Sequence, residues 1–304
     1  MRLVPLLAAA VLLAAAQPAV ATAPPLLHVT AKIGVGGQPI GLAYGAGSIW
    51  VSNYGSGELE RIDPAKNTVI ARIATGGSPY GVTFGADGVW VSSFDTQTVI
   101  RVDPSNGRVV ARIDVGSTEQ AGILATNDAV WVAVYGAGTV VQIDPKTNAA
   151  VARIRVGGNP EDIVSWGGNL WVPNENGTLA RIDPVARRVT ATVRVGADPD
   201  NAVACRGRIW TSSLRGPALV VVDPAAGRVT ARMRVGTGSV GLACGRALWS
   251  ANYDTGTVLR IDPARRVVTG RARVGLKPRT VVIAAGSVWV ANQGSGTVSR
   301  LRGR

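Results

Sequence analysis

The segment Ser48-Ile49-Trp50-Val51-Ser52-Asn53 is apolar enough to be buried on both faces, follows the turn Gly45-Ala46-Gly47, and returns in altered form along the whole chain. Its tryptophan recurs as Trp90, Trp131, Trp171, Trp210, Trp249 and Trp289, at spacings of 40, 41, 40, 39, 39 and 40. A second marker, the dipeptide Asp-Pro, recurs at Asp63, Asp103, Asp144, Asp183, Asp223 and Asp262 with spacings of 40, 41, 39, 40 and 39. Two independent markers that hold one period imply a repeated unit, and a period near 40 with several short strands predicts propeller blades. Only Trp166 falls outside the register.

Four strands can be read inside one repeat. Ile40 to Tyr44 is a small apolar run suited to a crowded innermost strand, and Ser48 to Asn53 follows it. Glu58 to Ile62 alternates; Asp63-Pro64 then forms a turn, because Pro cannot donate to a ladder. Thr68 to Ala74 alternates again, with Arg72 outward. Seven Trp strands but six Asp-Pro turns leave the seventh repeat short of a fourth strand, and Leu27 to Val35 resembles the fourth strand Val189 to Val195. The expectation is an all-β, seven-bladed β-propeller, four strands per blade. Its ring is closed by the N-terminal strand joining the last blade, which hides the open edges.

Residues 1–21 read as a cleaved signal peptide: Arg2, an apolar run from Leu3 to Ala16, then Ala19-Val20-Ala21. The apolar run is too short for a membrane span. Residues 22–304 are then one propeller domain, expected as a monomer that is secreted or held in the periplasm or cell envelope. Cys205 and Cys244 lie five residues before Trp210 and Trp249, at one position of consecutive repeats, so a cross-repeat disulfide is an expectation that fits an oxidising compartment. The alternative is two buried thiols too far apart to bridge.

Composition removes whole chemistries. A single His, His28, rules out a cluster of His ligands within one chain, and no GxxxxGK[ST], HExxH, CxxC or EF-hand pattern occurs. The net charge of +13 predicts salt-sensitive attraction to anionic polymers. Arg72, Arg112, Arg153, Arg194, Arg232 and Arg271, however, recur on the outermost strand, as edge protection would require, and nothing resembles a base-reading motif. No sequence-specific nucleic-acid partner is expected.

Trp50-Val51-Ser52-Asn53, Trp171-Val172-Pro173-Asn174 and Trp289-Val290-Ala291-Asn292, with the Gly-rich turns and Arg-Ile-Asp-Pro segments, resemble the YVTN-repeat family of seven-bladed propellers over residues 27–304. The virginiamycin B lyase family is one enzymatic relative of this scaffold. That family opens a cyclic peptide antibiotic by elimination, with Mg²⁺, a pair of His and a Glu. No His lies in the equivalent strands here, so the resemblance implies the scaffold and not that site.

Function is expected where the repeats disagree. The loops leading into the first strands read Gln38-Pro39-Ile40, Ser78-Pro79-Tyr80, Thr118-Glu119-Gln120, Asn159-Pro160-Glu161, Asp198-Pro199-Asp200, Gly238-Ser239-Val240 and Lys277-Pro278-Arg279. Glu119, Glu161, Asp162, Glu175, Asp198 and Asp200 fall on this face, accompanied by Asn174, Asn176 and Asn201. Arg279 and Lys277 supply the opposite sign, and Tyr80 is among the aromatics between them. The candidate channel-mouth site is Tyr80, Glu119, Glu161, Asp162, Asn174, Glu175, Asp200, Asn201 and Arg279, binding a small ligand or a protein partner without assigned catalysis. The alternative is a metal-assisted lyase or lactonase-like enzyme, with Glu161, Asp162 and Asp200 holding Ca²⁺ or Mg²⁺ as Lewis acid.

Overall fold

The computed structural model describes residues 24–302; the expected signal peptide lies outside the described residues. They fold into antiparallel strands: five four-stranded sheets and one of eight strands. The larger sheet is two four-stranded halves joined through the single pair Ser213–Ser239. Apart from the single turns Tyr135–Ala137 and Gln293–Ser295, no helix is assigned among the described residues, and none is long and apolar enough to cross a membrane.

Repeat one shows the pattern: Pro39–Gly45, Ser48–Asn53, Glu58–Asp63 and Thr68–Ala74 pair in chain order. Every residue of the second strand is buried, whereas the fourth alternates between exposed and half-buried, so its pattern is that of an outer strand. Trp50 and its equivalents are almost fully buried. Each removes about 200 Å² from water, on the order of 5 kcal/mol of transfer free energy.

The N-terminal strand runs Val29–Gly34 and pairs antiparallel with Thr297–Arg302, Ile33 opposite Val298. Ile33 and Val35 then pack in one cluster with Ile49, Val51 and Trp289, so residues from both ends of the chain and from repeat one share a core.

Arginines fasten neighbouring repeats. Arg61, Arg101 and Arg300 lie 5.1, 4.8 and 4.9 Å over the rings of Trp50, Trp90 and Trp289. They donate to the backbone carbonyls of Pro104, Pro145 and Pro64, each in the Asp-Pro turn of another repeat. Two outermost-strand arginines do more than guard an edge: Arg112 donates to Thr75 O at 2.6 Å and Arg232 to Val195 O at 2.7 Å, both in the preceding repeat. A disulfide joins Cys205 to Cys244, with Cα atoms 5.6 Å apart.

The first strands meet backbone to backbone. A Cβ at Gly41 would stand 2.5 Å from Tyr80 O, at Gly81 2.7 Å from Ala121 O, and at Gly241 2.2 Å from Arg279 O. Only glycine permits that approach. Serines of the second strand complete the joint: Ser52 Oγ donates to Tyr80 O, Ser92 Oγ to Ala121 O and Ser212 Oγ to Val240 O.

Candidate ligand site

The residue three after each repeat's Trp pairs with the start of the first strand, and this fixes which positions are equivalent. Pro39, Pro79, Gln120, Pro160, Pro199, Ser239 and Pro278 pair with Asn53, Ser93, Val134, Asn174, Ser213, Asn252 and Asn292. The next residues therefore form one layer: Ile40, Tyr80, Ala121, Glu161, Asp200, Val240 and Arg279. The layer after it is Gly41, Gly81, Gly122, Asp162, Asn201, Gly241 and Thr280. All seven residues of the second layer, with five of the first, line one cavity of about 170 Å³.

Repeat three corrects the sequence alignment by one residue. Glu119 is equivalent to Ser78 rather than Pro79, because Tyr135 N donates to Glu119 O as Phe94 N does to Ser78 O. Ala121 takes the layer position. Glu119 stays on the loop at φ 58°, its carboxylate over Gly136, and does not line the cavity.

Two more of the expected residues have other duties. Asn174 is fully buried at the end of a second strand and donates to Thr178 Oγ1 at 3.2 Å. Asn53 occupies the same position in repeat one and donates to Val35 O, so the position is a strand-end fastener. Glu175 accepts from Tyr135 Oη at 2.5 Å and from Asn159 Nδ2 at 3.3 Å, and those bonds hold its pKa below the usual range. It lines a separate cavity of about 440 Å³ with Asp198 and Arg215.

Asp162 and Asn201 stand where four of the other repeats have Gly. Asp162 Oδ2 accepts from Asn201 Nδ2 at 2.7 Å and Ala202 N at 3.2 Å, and Asn201 Oδ1 accepts from Leu242 N at 3.0 Å. Side chains here make the joint between repeats that backbone contact makes elsewhere. Burial still pushes Asp162 up to about 7, against the lowering by the Ala202 and Ile163 amides.

The remaining four groups face one another across the cavity. Arg279 donates to Tyr80 Oη and lies 3.7 Å from Asp200 Oδ2, thereby linking repeats seven, two and five. Burial pushes Tyr80 up to about 12 and raises Asp200 despite Arg279. Glu161 is pushed up to about 8, first by burial and then by the Asp200 charge, with Arg279 opposing. Asp198 and Glu175 add to that repulsion. Asp198 Oδ2 is 3.3 Å from Arg215 Nε without hydrogen-bond alignment. A buried acid next to like charges keeps its proton, and a cation placed beside it releases that proton.

The expected Ca²⁺ or Mg²⁺ triad is corrected. Among the described residues no three His, Cys, Asp or Glu side chains converge as a ligand set. One oxygen of Asp162 is occupied by two N–H donors, and Asp200 faces Arg279, so Glu161, Asp162 and Asp200 line one cavity without pointing to one ion. His28 lies off the cavity: its neighbour Leu27 donates its backbone N–H to Arg271 O in repeat six.

Sequence reading missed Thr280 and Arg215, neither of which carries a motif. It also missed the second-layer glycines, although their spacing could have revealed them.

An all-β chain of four-stranded antiparallel sheets around such a cavity has a propeller scaffold. Solved structures similar to it are a hydrazine synthase from Kuenenia stuttgartiensis (TM-score 0.77, 16% identity, 94% of this chain and 99% of that chain), a streptogramin B lyase (0.78, 12%, 88% and 94%) and virginiamycin B lyase from Staphylococcus aureus (0.77, 13%, 90% and 98%). At these identities the likeness concerns the fold. No family model matches the chain, and neither does any curated protein.

Proposed function

We propose that the chain is an exported, seven-bladed propeller of the YVTN-repeat type, closed by Val29–Gly34, that binds a small ligand carrying a cationic group in its central cavity. Glu161 carries this reading. Its carboxyl is pushed up to about 8 by burial and by Asp200, in a cavity to which every repeat contributes. Arg279 is already engaged by Asp200 and Tyr80, so the unmet demand for positive charge lies at Glu161. Ile40, Leu42, Val82 and Ile123 offer apolar wall for an aliphatic body. Reactions named for the structural neighbours remain theirs.

A cation that displaces the Glu161 proton must bind more tightly as pH rises toward about 8, and must release a proton when it binds. The test is calorimetric titration with putrescine from about pH 6 to about pH 9, in buffers of different ionisation heat. Tightening of up to about tenfold per pH unit below the midpoint is expected, with both the proton release and the pH dependence lost in Glu161→Gln. Binding that ignores pH, or its survival unchanged in that variant, would overturn the reading. Export is checked separately by locating the mature chain after fractionation.

A further inference from the structure

The junction between repeats three and four lacks the stacked arginine that fastens the junctions made by repeats one, two and seven. In repeats one, two and seven the position holds a stacked arginine, whereas repeat five has Val221 there. The Arg101 guanidinium lies 4.8 Å over Trp90 and donates to Pro145 O at 2.7 Å and to Ala86 O at 3.2 Å. Arg61 and Arg300 repeat the stacking and the bond to a Pro carbonyl. In repeat three the same position, the one paired with Trp131, is Gln142. Gln142 Oε1 is buried and has no hydrogen-bond partner.

A cavity of about 520 Å³ opens there. Its lining contains the same three components that receive the arginine in repeats one, two and seven: Trp131, the Asp-Pro turn at Pro184, and the Thr126–Ala129 hairpin. Asp128 adds a carboxylate to the hairpin. Arg187 stands where Asn67 and Asn148 accept from Arg300 and Arg101, so one acceptor is lost on that side. Trp166, 40% exposed, and Val185, 91% exposed, extend the outer wall with apolar surface. Trp166 is the one tryptophan outside the 40-residue register, and it lines this cavity.

We propose that this cavity is a binding site for a guanidinium group, which takes the place of the absent arginine. The ligand's guanidinium stacks on Trp131 and donates to Pro184 O and Gln142 Oε1, with Asp128 balancing its charge and Trp166 and Val185 covering its stem. The site is separate from the central cavity, and no residue is shared between the two linings. A guanidinium can come from a free small molecule or from an arginine of another polypeptide, and the chemistry is the same.

The probe is N-acetyl-L-arginine methylamide, with the neutral citrulline analogue as its control. Binding is followed through the tryptophan indole resonances of the full-length mature chain. The expected result is saturable shifts at Trp131 and Trp166, absent for citrulline and unaffected by Glu161→Gln. Gln142→Arg supplies the fastener internally: it should weaken the probe by about tenfold or more and raise the melting temperature without ligand. Asp128→Asn leaves the core untouched and should weaken the probe by about threefold, which keeps the test open if Gln142→Arg folds poorly. An arginine-containing tetrapeptide that binds about tenfold tighter than the amide assigns the guanidinium to a polypeptide, and equal affinity assigns it to a small molecule. Shifts that do not saturate below about 50 mM, equal binding of citrulline, or unchanged binding in Gln142→Arg would each overturn the proposal.

Discussion

Repeats one and four occupy the same frame and solve it differently. In repeat one the first strand runs seven residues, Pro39–Gly45; Gly41 lets it touch the next strand, and Arg61 is stacked and bonded. In repeat four only Val164–Trp166 remain regular. Pro160 keeps only an isolated bridge to Asn174, Glu161 and Asp162 leave the ladder, and Asp162 replaces backbone contact with side-chain hydrogen bonds. Where a residue's identity is dictated by the neighbouring repeat, the repeats agree. Where a different joint is available, the position is free to carry charge into the cavity, and Glu161 and Asp200 occupy that freedom. The departures from the repeat are therefore informative about function, and the repeat itself about stability.

The largest effect should come from forcing one solution onto the other. Gly241→Val places side-chain atoms where even a Cβ would stand 2.2 Å from Arg279 O, so one backbone must move. A loss of about 3 kcal/mol or more is expected in denaturant unfolding. Removing the Cys205–Cys244 bond, which spans 39 residues, should cost about 2–4 kcal/mol by the same measurement. A small loss in Gly241→Val would mean that the first strands do not touch as closely as repeats one and six require.

Junctions between repeats give a second contrast. Arg101→Ala strips a stacked, hydrogen-bonded guanidinium from Trp90 and should destabilise by about 1–3 kcal/mol. Gln142→Ala, at a junction already open, should cost well under about 1 kcal/mol, because Oε1 has no partner to lose. Equal losses would show that Gln142 fastens its junction after all.

Much of this was legible because the repeats share one packing problem. Trp and Asp-Pro mark the second strand and the third turn, where burial and Pro leave little choice, so period, strand number and the N-terminal strand followed from them. Gln120 broke the Pro marker that aligned the first strands, and Glu119 was consequently placed one residue too far into the site. The joint between Asp162 and Asn201 depends on two side chains 39 residues apart meeting across a junction, and no local pattern announces such a meeting. Gln142 was visible as a departure from Arg-Ile-Asp-Pro. The cavity it leaves depends on Pro184 of the next repeat, which only packing shows.

Glu161 and Asp162 predict how pH acts on the acidic repeats. Both pKa values are raised in the folded chain, to about 8 and about 7, from ordinary values of 4.5 and 3.8. The unfolded chain gives up those protons at lower pH, so stability is fullest below about pH 4 with respect to these groups and falls as pH rises through the folded values. We expect stability to decline between about pH 5 and about pH 8, read as a falling melting temperature. Glu161→Gln should flatten the decline by roughly half, and a flat profile in the parent chain would remove the buried acid from the argument.

The smallest effect tests the corrected alignment most directly. Glu119 and Glu161 are both loop-proximal acids preceding a first strand, and the sequence alone treats them alike. In the structure Glu119 lies on the loop over Gly136, while Glu161 lines the cavity. Glu119→Gln keeps the side chain's size and should change stability by no more than about 0.5 kcal/mol. It should also leave putrescine binding and its pH dependence intact, whereas Glu161→Gln removes both. If Glu119→Gln weakened the amine as Glu161→Gln does, the uncorrected alignment, with Gln120 in the first layer in place of Ala121 and Glu119 directly before it, would have to be restored. The one-residue shift in repeat three would then be wrong, because a strand slipped by one residue turns every side chain to its other face.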